Sequence, residues 1–283
     1  MSIKSNKTFN KVKSKLCICY NNKYFYILIS LLFIFIFTIL PISHILFKIL
    51  NINLLTILRH LKSNNFINAL KLSINVSIIV IIINTYISIL IIKVLINKNF
   101  KHQTMLISVL DLPSSISPII VGLMISILYG HNNHVLTLLK LNTHILYAFP
   151  GIILGNLIIT LPLIIREVIP IIREISKQEI ESAEILGANE NEIFLNIIFP
   201  QIKTNLLSGI IITNCRCFSE FGATSIISGN IIGKTQTLTL FIEQAYKEYE
   251  NEISYIASAT LILIIISISI IQKTIIIKKK NDS

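Results

Sequence analysis

Three ionisable side chains, Asp111, Arg216 and Glu220, fall inside long apolar runs of this 283-residue chain. A charge in hydrocarbon is costly, so its presence there points to a passage for ions or to a structural pair. Arg216 and Glu220 are four residues apart, the spacing that sets two side chains on one face of a helix. They either line a path or partner interface, where the guanidinium offsets part of an anion's charge, or neutralise each other and brace their helix. Replacing both by glutamine separates the readings. Asp111 precedes Pro113 and Pro118, so the run holding it starts or bends there, and its carboxylate is expected to cap the freed amides, with a path-lining role as the alternative.

Other residues imitate chemistry without completing it. Gly229-Asn-Ile-Ile-Gly233-Lys234-Thr235 ends like a phosphate-cradling loop, but three residues separate its glycines where that loop needs four. His131 and His134 are spaced like a metal pair, yet no carboxylate or cysteine nearby completes a ligand set. The four cysteines form two Cys-x-Cys pairs, Cys17 with Cys19 and Cys215 with Cys217, rather than the spacing of zinc or redox sites. Nucleophile, base and orienting group converge nowhere, so neither a catalytic site nor a cofactor is expected in the chain itself.

The elements that must hold these residues follow from composition. With 53% hydrophobic and 14% charged residues, a mean hydropathy of +0.74 and no Trp, the chain has too little charge for a water-exposed globule. Crossing a bilayer takes about 20 apolar residues in a helix. Six runs qualify: 23–47, 67–96, 105–129, 144–165, 206–227 and 253–272. Their length excludes barrel strands, so the fold class is an all-α membrane protein with six transmembrane helices. The net charge of +11 would suggest a nucleic-acid partner in a soluble protein, but here the basic residues track the membrane sides. With the N-terminus inside, 17 of the 25 Lys and Arg lie on the inner side and seven on the outer, which places both termini in the cytoplasm. Residues 1–22 read as a basic leader to an uncleaved anchor, 23–272 as the six-helix domain and 273–283 as a basic tail.

One inner loop, residues 166–205, differs from the rest by holding seven of the fourteen acidic groups. Ser176 with Glu179 has the spacing of a capping box at the head of a short helix that Gly187 ends. A second helix is expected from Asn189 to Ile198, interrupted by Pro200. Glu181-Ser182-Ala183, then Gly187, Ile197 and Pro200, resembles the Glu-Ala-Ala loop of ABC importer permeases, with Ser182 for an alanine and Phe199 for a leucine.

The resemblance extends from about residue 69 to residue 272. Leu110-Asp111-Leu112-Pro113, Ser117-Pro118, Tyr129-Gly130, Arg166-Glu167-Val168-Ile169-Pro170, Glu220-Phe221-Gly222-Ala223, Ile227-Ser228-Gly229-Asn230-Ile231 and Thr237-Leu238-Thr239-Leu240 look like sulfate/thiosulfate permeases of the CysW type. CysT-type and molybdate permeases are near relatives. The resemblance implies a MetI-like permease fold whose loop docks on a cytoplasmic ABC ATPase, where the ATP is bound. It also implies a second, CysT-like permease subunit, an external sulfate-binding protein and sulfate as cargo, with molybdate or tungstate as the alternative. The membrane would be a bacterial inner membrane, or a plastid membrane if the Ile, Asn and Lys bias marks an organelle genome. Two readings of other classes stay open: a secondary anion transporter, which would show internal repeats and more intramembrane ionisable groups, and a passive membrane scaffold, which has no use for an acidic two-helix loop.

Overall fold

The computed structural model describes residues 23–96, 102–130 and 145–281, and the regular structure among them is helical. Ile-rich runs form helices here although β-branching disfavours them in water, because a helix satisfies its own backbone polar groups where no solvent can. The chain divides into two units, residues 1–53 and 54–283.

The first unit holds α1 (Lys23–Ile34), a π-helical turn (Phe35–Ile39) and α2 (Leu40–Leu50). From Phe25 to Leu50 they form one continuous 26-residue apolar helix, and none of its most apolar stretch is buried.

The second unit is a bundle built around α7 (Phe149–Glu174), which packs against α4 (Asn64–Ile96), α5 (Gln103–Ser115), α6 (Pro118–Tyr129), α10 (Phe199–Phe218) and α11 (Gly222–Ile227). The amphipathic α3 (Leu54–Leu61) leads into α4. Short helices α8 (Lys177–Ile185) and α9 (Glu190–Ile193) lie between α7 and α10, and α12 (Leu238–Lys247) packs on α13 (Asn251–Asn281) and α4. Glycines set the closest crossings. A Cβ on Gly209 of α10 would stand 2.8 Å from the Ile164 Cα of α7, so only a residue without one lets these backbones meet.

Five helices are long and apolar enough to span a membrane, and the bent pair α5 and α6 supplies a sixth span if counted as one. The bend expected at the prolines of the third run falls between Ser115 and Pro118 and measures 99°. Ile116 and Ser117 are extended there, the conformation forced on a residue before proline. The fourth helix starts at Phe149 and runs on to Glu174, so Arg166 and Glu167 are helical rather than part of a loop. The fifth run divides at Ser219–Phe221 into α10 and α11.

Pro200 does not interrupt the helix before it. Residues 190–218 run continuously through a π-helical turn at Phe194–Ile198, where the Phe199 amide donates to the Phe194 carbonyl. Pro41 stands in the same register behind its own π turn, with the Leu40 amide donating to Phe35. In both places the wider turn accommodates a ring that would otherwise strike the carbonyl four residues back.

Candidate functional site

The loop between α7 and α10 has a rooted base and a bare tip. Ile175, Ile193, Phe194 and Ile198 are buried with Ile92 of α4, Ile164 and Val168 of α7 and Ile202 of α10. Lys93, in the last turn of α4, donates to Asn191 Oδ1 at 3.3 Å and stands 4.8 Å over the Phe194 ring. Above this base α8 carries Glu181, Ser182 and Ala183, and its last residues are uncovered: Ile185 and Leu186 are 86% and 87% exposed. Gly187 ends α8 with φ +87°, and a Cβ placed on it would meet nothing within 4 Å, so backbone conformation alone demands glycine there. The Gly187 amide donates to Glu184 and the Ala188 amide to Ala183, the paired bonds of a Schellman turn.

The expected capping box at Ser176 is absent, for the Ser176 side chain makes no capping bond. Glu179 instead accepts from Gln201 Nε2 at 3.0 Å and ties α8 to α10. The capping box forms one helix later, where Asn189 Oδ1 accepts from the Glu192 amide and the Glu192 carboxylate accepts from the Asn189 amide, both at 2.9 Å. Ile197 is half-buried against the base and Pro200 is exposed.

Within the bundle, the structure pairs Arg216 with Glu220: Nη2 lies 2.9 Å from Oε2, an ion contact without hydrogen-bond alignment. The two differ in exposure, 38% for the arginine side chain and 1% for the glutamate. Glu220 is held by the residues C-terminal to it. Its Oε1 accepts from the Ala223 amide at the head of α11, and its carbonyl accepts from Thr224 and Thr239. The guanidinium makes no hydrogen bond among the described residues.

Asp111 does not cap freed amides. Its Oδ1 accepts from Nε of Arg166 on α7 at 2.6 Å, and Arg166 Nη2 donates to Ser114 Oγ, also at 2.6 Å. The pairing is with a residue 55 positions away, which no local spacing could reveal. A further feature escaped the sequence reading: buried polar groups join α4, α7 and α10. Asn84 Nδ2 donates to Thr160 Oγ1 at 2.7 Å, Thr160 donates to the Asn156 carbonyl, and the Cys217 thiol lies 3.9 Å from Thr160. Asparagines within apolar runs were the available signal, since amides in lipid are placed where another helix can meet them.

The glycine loop after α11 spends its amides internally. Those of Lys234, Thr235 and Gln236 all donate to the Ile231 carbonyl, while Thr235 Oγ1 donates to the Ser228 carbonyl. His131, His134, Cys17 and Cys19 lie outside the described residues.

Comparison with known proteins places this geometry. Residues 94–279 match the family described as binding-protein-dependent transport system inner membrane component. The chain is 41% identical over 205 residues to sulfate permease 2, chloroplastic, of Chlamydomonas reinhardtii, covering 72% of this chain and 56% of that protein. It is 38% identical over 234 residues to the sulfate transport system permease protein CysW of Synechococcus elongatus, covering 82% of each. CysT of Escherichia coli K12 is more distant, at 25% identity over 86% of this chain and 90% of that one. Among solved structures, a bacterial ABC transporter that imports alginate matches with a TM-score of 0.74 over 96% of this chain and 99% of that chain, at 15% identity, a likeness of fold.

Proposed function

Because the chain belongs to the family of binding-protein-dependent transport system inner membrane components, we propose that it is the permease subunit of an ATP-driven importer of sulfate or thiosulfate, with both termini in the cytoplasm. The observation that carries this reading is the loop between α7 and α10. Its base is locked into three membrane helices while Ile185 and Leu186 stand almost fully exposed beside Glu181, Ser182 and Ala183. An apolar tip flanked by small and acidic residues suits a groove in a partner, and the rigid base transmits whatever the partner does. That partner is a cytoplasmic ATPase, which binds the ATP. Closure of the ATPase moves the loop, and the loop switches the spans between outward and inward access.

The substrate rests on the relatives, whose names are those of sulfate permeases. A second, CysT-like permease completes the passage and an external sulfate-binding protein delivers the anion; one solved neighbour is a transporter in complex with its ligand-loaded periplasmic protein. Arg216 lines the passage. It is partly exposed, it makes one ion contact with Glu220, and its remaining N–H groups are open to oxyanion oxygens. Glu220, pinned by Ala223, cancels its net charge so that a dianion is not trapped.

The experiment is uptake of radiolabelled sulfate in cells carrying Gly187→Asp or Glu181→Lys. Uptake is expected to collapse with the protein still inserted; unchanged uptake would remove the loop from coupling. Selectivity lies mainly with the binding protein, so substrate range is expected to follow that protein when it is exchanged, and a range that follows this chain overturns the assignment.

A further inference from the structure

The two interrupted spans meet at their breaks. A Cβ on Gly222, the first residue of α11, would stand 2.9 Å from Pro118 Cβ and 3.2 Å from the Ile119 amide nitrogen, at the first turn of α6. Four residues further along α6, a Cβ on Gly122 would stand 2.9 Å from Ala223 Cα. The heads of α6 and α11 are therefore packed backbone to backbone, each just after a break in its span. Irregular backbone inside a membrane persists only where protein covers it or where it lines water.

An ion pair flanks this junction on each side. On the α10 side stands Arg216 with Glu220, two residues before Gly222. On the α5 side stands Arg166 with Asp111 and Ser114, the serine four residues before Pro118. Arg166 belongs to a span that runs from Phe149 to Glu174, and its side chain is 46% exposed. It spends Nε on Asp111 and Nη2 on Ser114, and Nη1 has no partner among the described residues.

We propose that Arg166 is a second anion-contacting residue of the passage, on the inner side of the junction, as Arg216 is on the outer. The assignment rests on the sulfate reading above and extends it to a residue outside the first pair. Both guanidiniums share one feature: each contacts a carboxylate that offsets its charge, while further N–H groups without a partner among the described residues remain for an oxyanion. Two neutral donor stations suit a strongly hydrated dianion, which must be held well enough to enter and weakly enough to leave. The ends of α7 and α10 fix the order. Both helices reach the inner loop, α7 at Glu174 and the helix continuous with α10 at Glu190, so Arg166 lies eight residues from that side and Arg216 twenty-six.

The test uses the whole importer in proteoliposomes, with radiolabelled sulfate as probe. A wild-type complex that carries no sulfate overturns the substrate reading and this assignment with it. Given a working complex, Arg166→Cys is made in a chain whose native cysteines are serine. Uptake is expected to fall about tenfold, as loss of a charge-assisted contact implies. 2-Aminoethyl methanethiosulfonate, which returns a positive charge to the side chain, should restore it, whereas the anionic 2-sulfonatoethyl reagent should not. An Arg166→Cys variant that keeps full uptake, does not react, or is not rescued by the cationic reagent overturns the proposal. An independent arm is the double variant Arg166→Met with Asp111→Leu, which removes both charges at similar volume and spares a purely structural pair. It should assemble with its partners yet carry sulfate about tenfold more slowly; uptake within twofold of wild type overturns the proposal as well.

Discussion

Glutamate does opposite work in two parts of this molecule. On α8 the acidic side chains Glu181 and Glu184 are exposed, beside the almost fully exposed Ile185 and Leu186 that we propose dock on another protein. At the end of α10 the carboxylate of Glu220 is almost wholly buried, and it holds an arginine and the first turn of the next helix. The comparison teaches where charge is structural and where it is recognition. A buried carboxylate in lipid is tolerated only when each of its oxygens has a partner, so its removal strikes folding first. An exposed one costs little to keep and little to lose, so its removal is expected to strike association before folding.

The sharpest way to break this contrast is Glu220→Leu. It leaves Arg216 without its carboxylate and the buried Ala223 amide without its acceptor, and is predicted to cost about 1–3 kcal/mol, the range for a buried donor left unpaired. The melting temperature of the purified complex should drop. A single variant as stable as wild type would mean that Glu220 does not hold this junction.

A middle-sized effect is expected from Asn189→Ala in the loop. It removes one half of the only capping box among the described residues and should lower stability by about 1 kcal/mol, read as a small shift in the same melting curve. The smallest effect on stability is expected from Leu186→Ser. A side chain this exposed should change folding by no more than about 0.5 kcal/mol, yet capture of the ATPase subunit in a pull-down should be lost. Normal capture would move the docking face elsewhere on the loop.

Much of the bundle was legible in the chain. Span number followed from the bilayer's thickness, and Gly187 was marked as a helix end by residue type alone. The Arg216–Glu220 pair was readable because its spacing is local. What escaped was of two kinds. The capping box shifted from Ser176 to Asn189 because Glu179 found a better partner in Gln201, which sits 22 positions later and comes near only when α8 folds back on α10. Asp111 looked like a cap because prolines come after it, but a cationic partner on α7 takes its carboxylate. The polar seam of Asn84, Thr160 and Cys217 depends on three helices meeting, and the break at Ser219–Phe221 was visible only as small residues within a run long enough to be straight.

Sequence by itself determined that this chain lives in a membrane, how many times its apolar runs can cross, and where a polar loop interrupts them, because hydrophobic length and helix-ending residues act over a few turns and need no distant partner. Tertiary structure alone decided which charges meet, which spans are broken where they touch, and which end of the loop stays bare. Those outcomes are set by contacts between residues far apart in the chain, and each is chosen by competition among partners that only the packed bundle brings within a few ångströms.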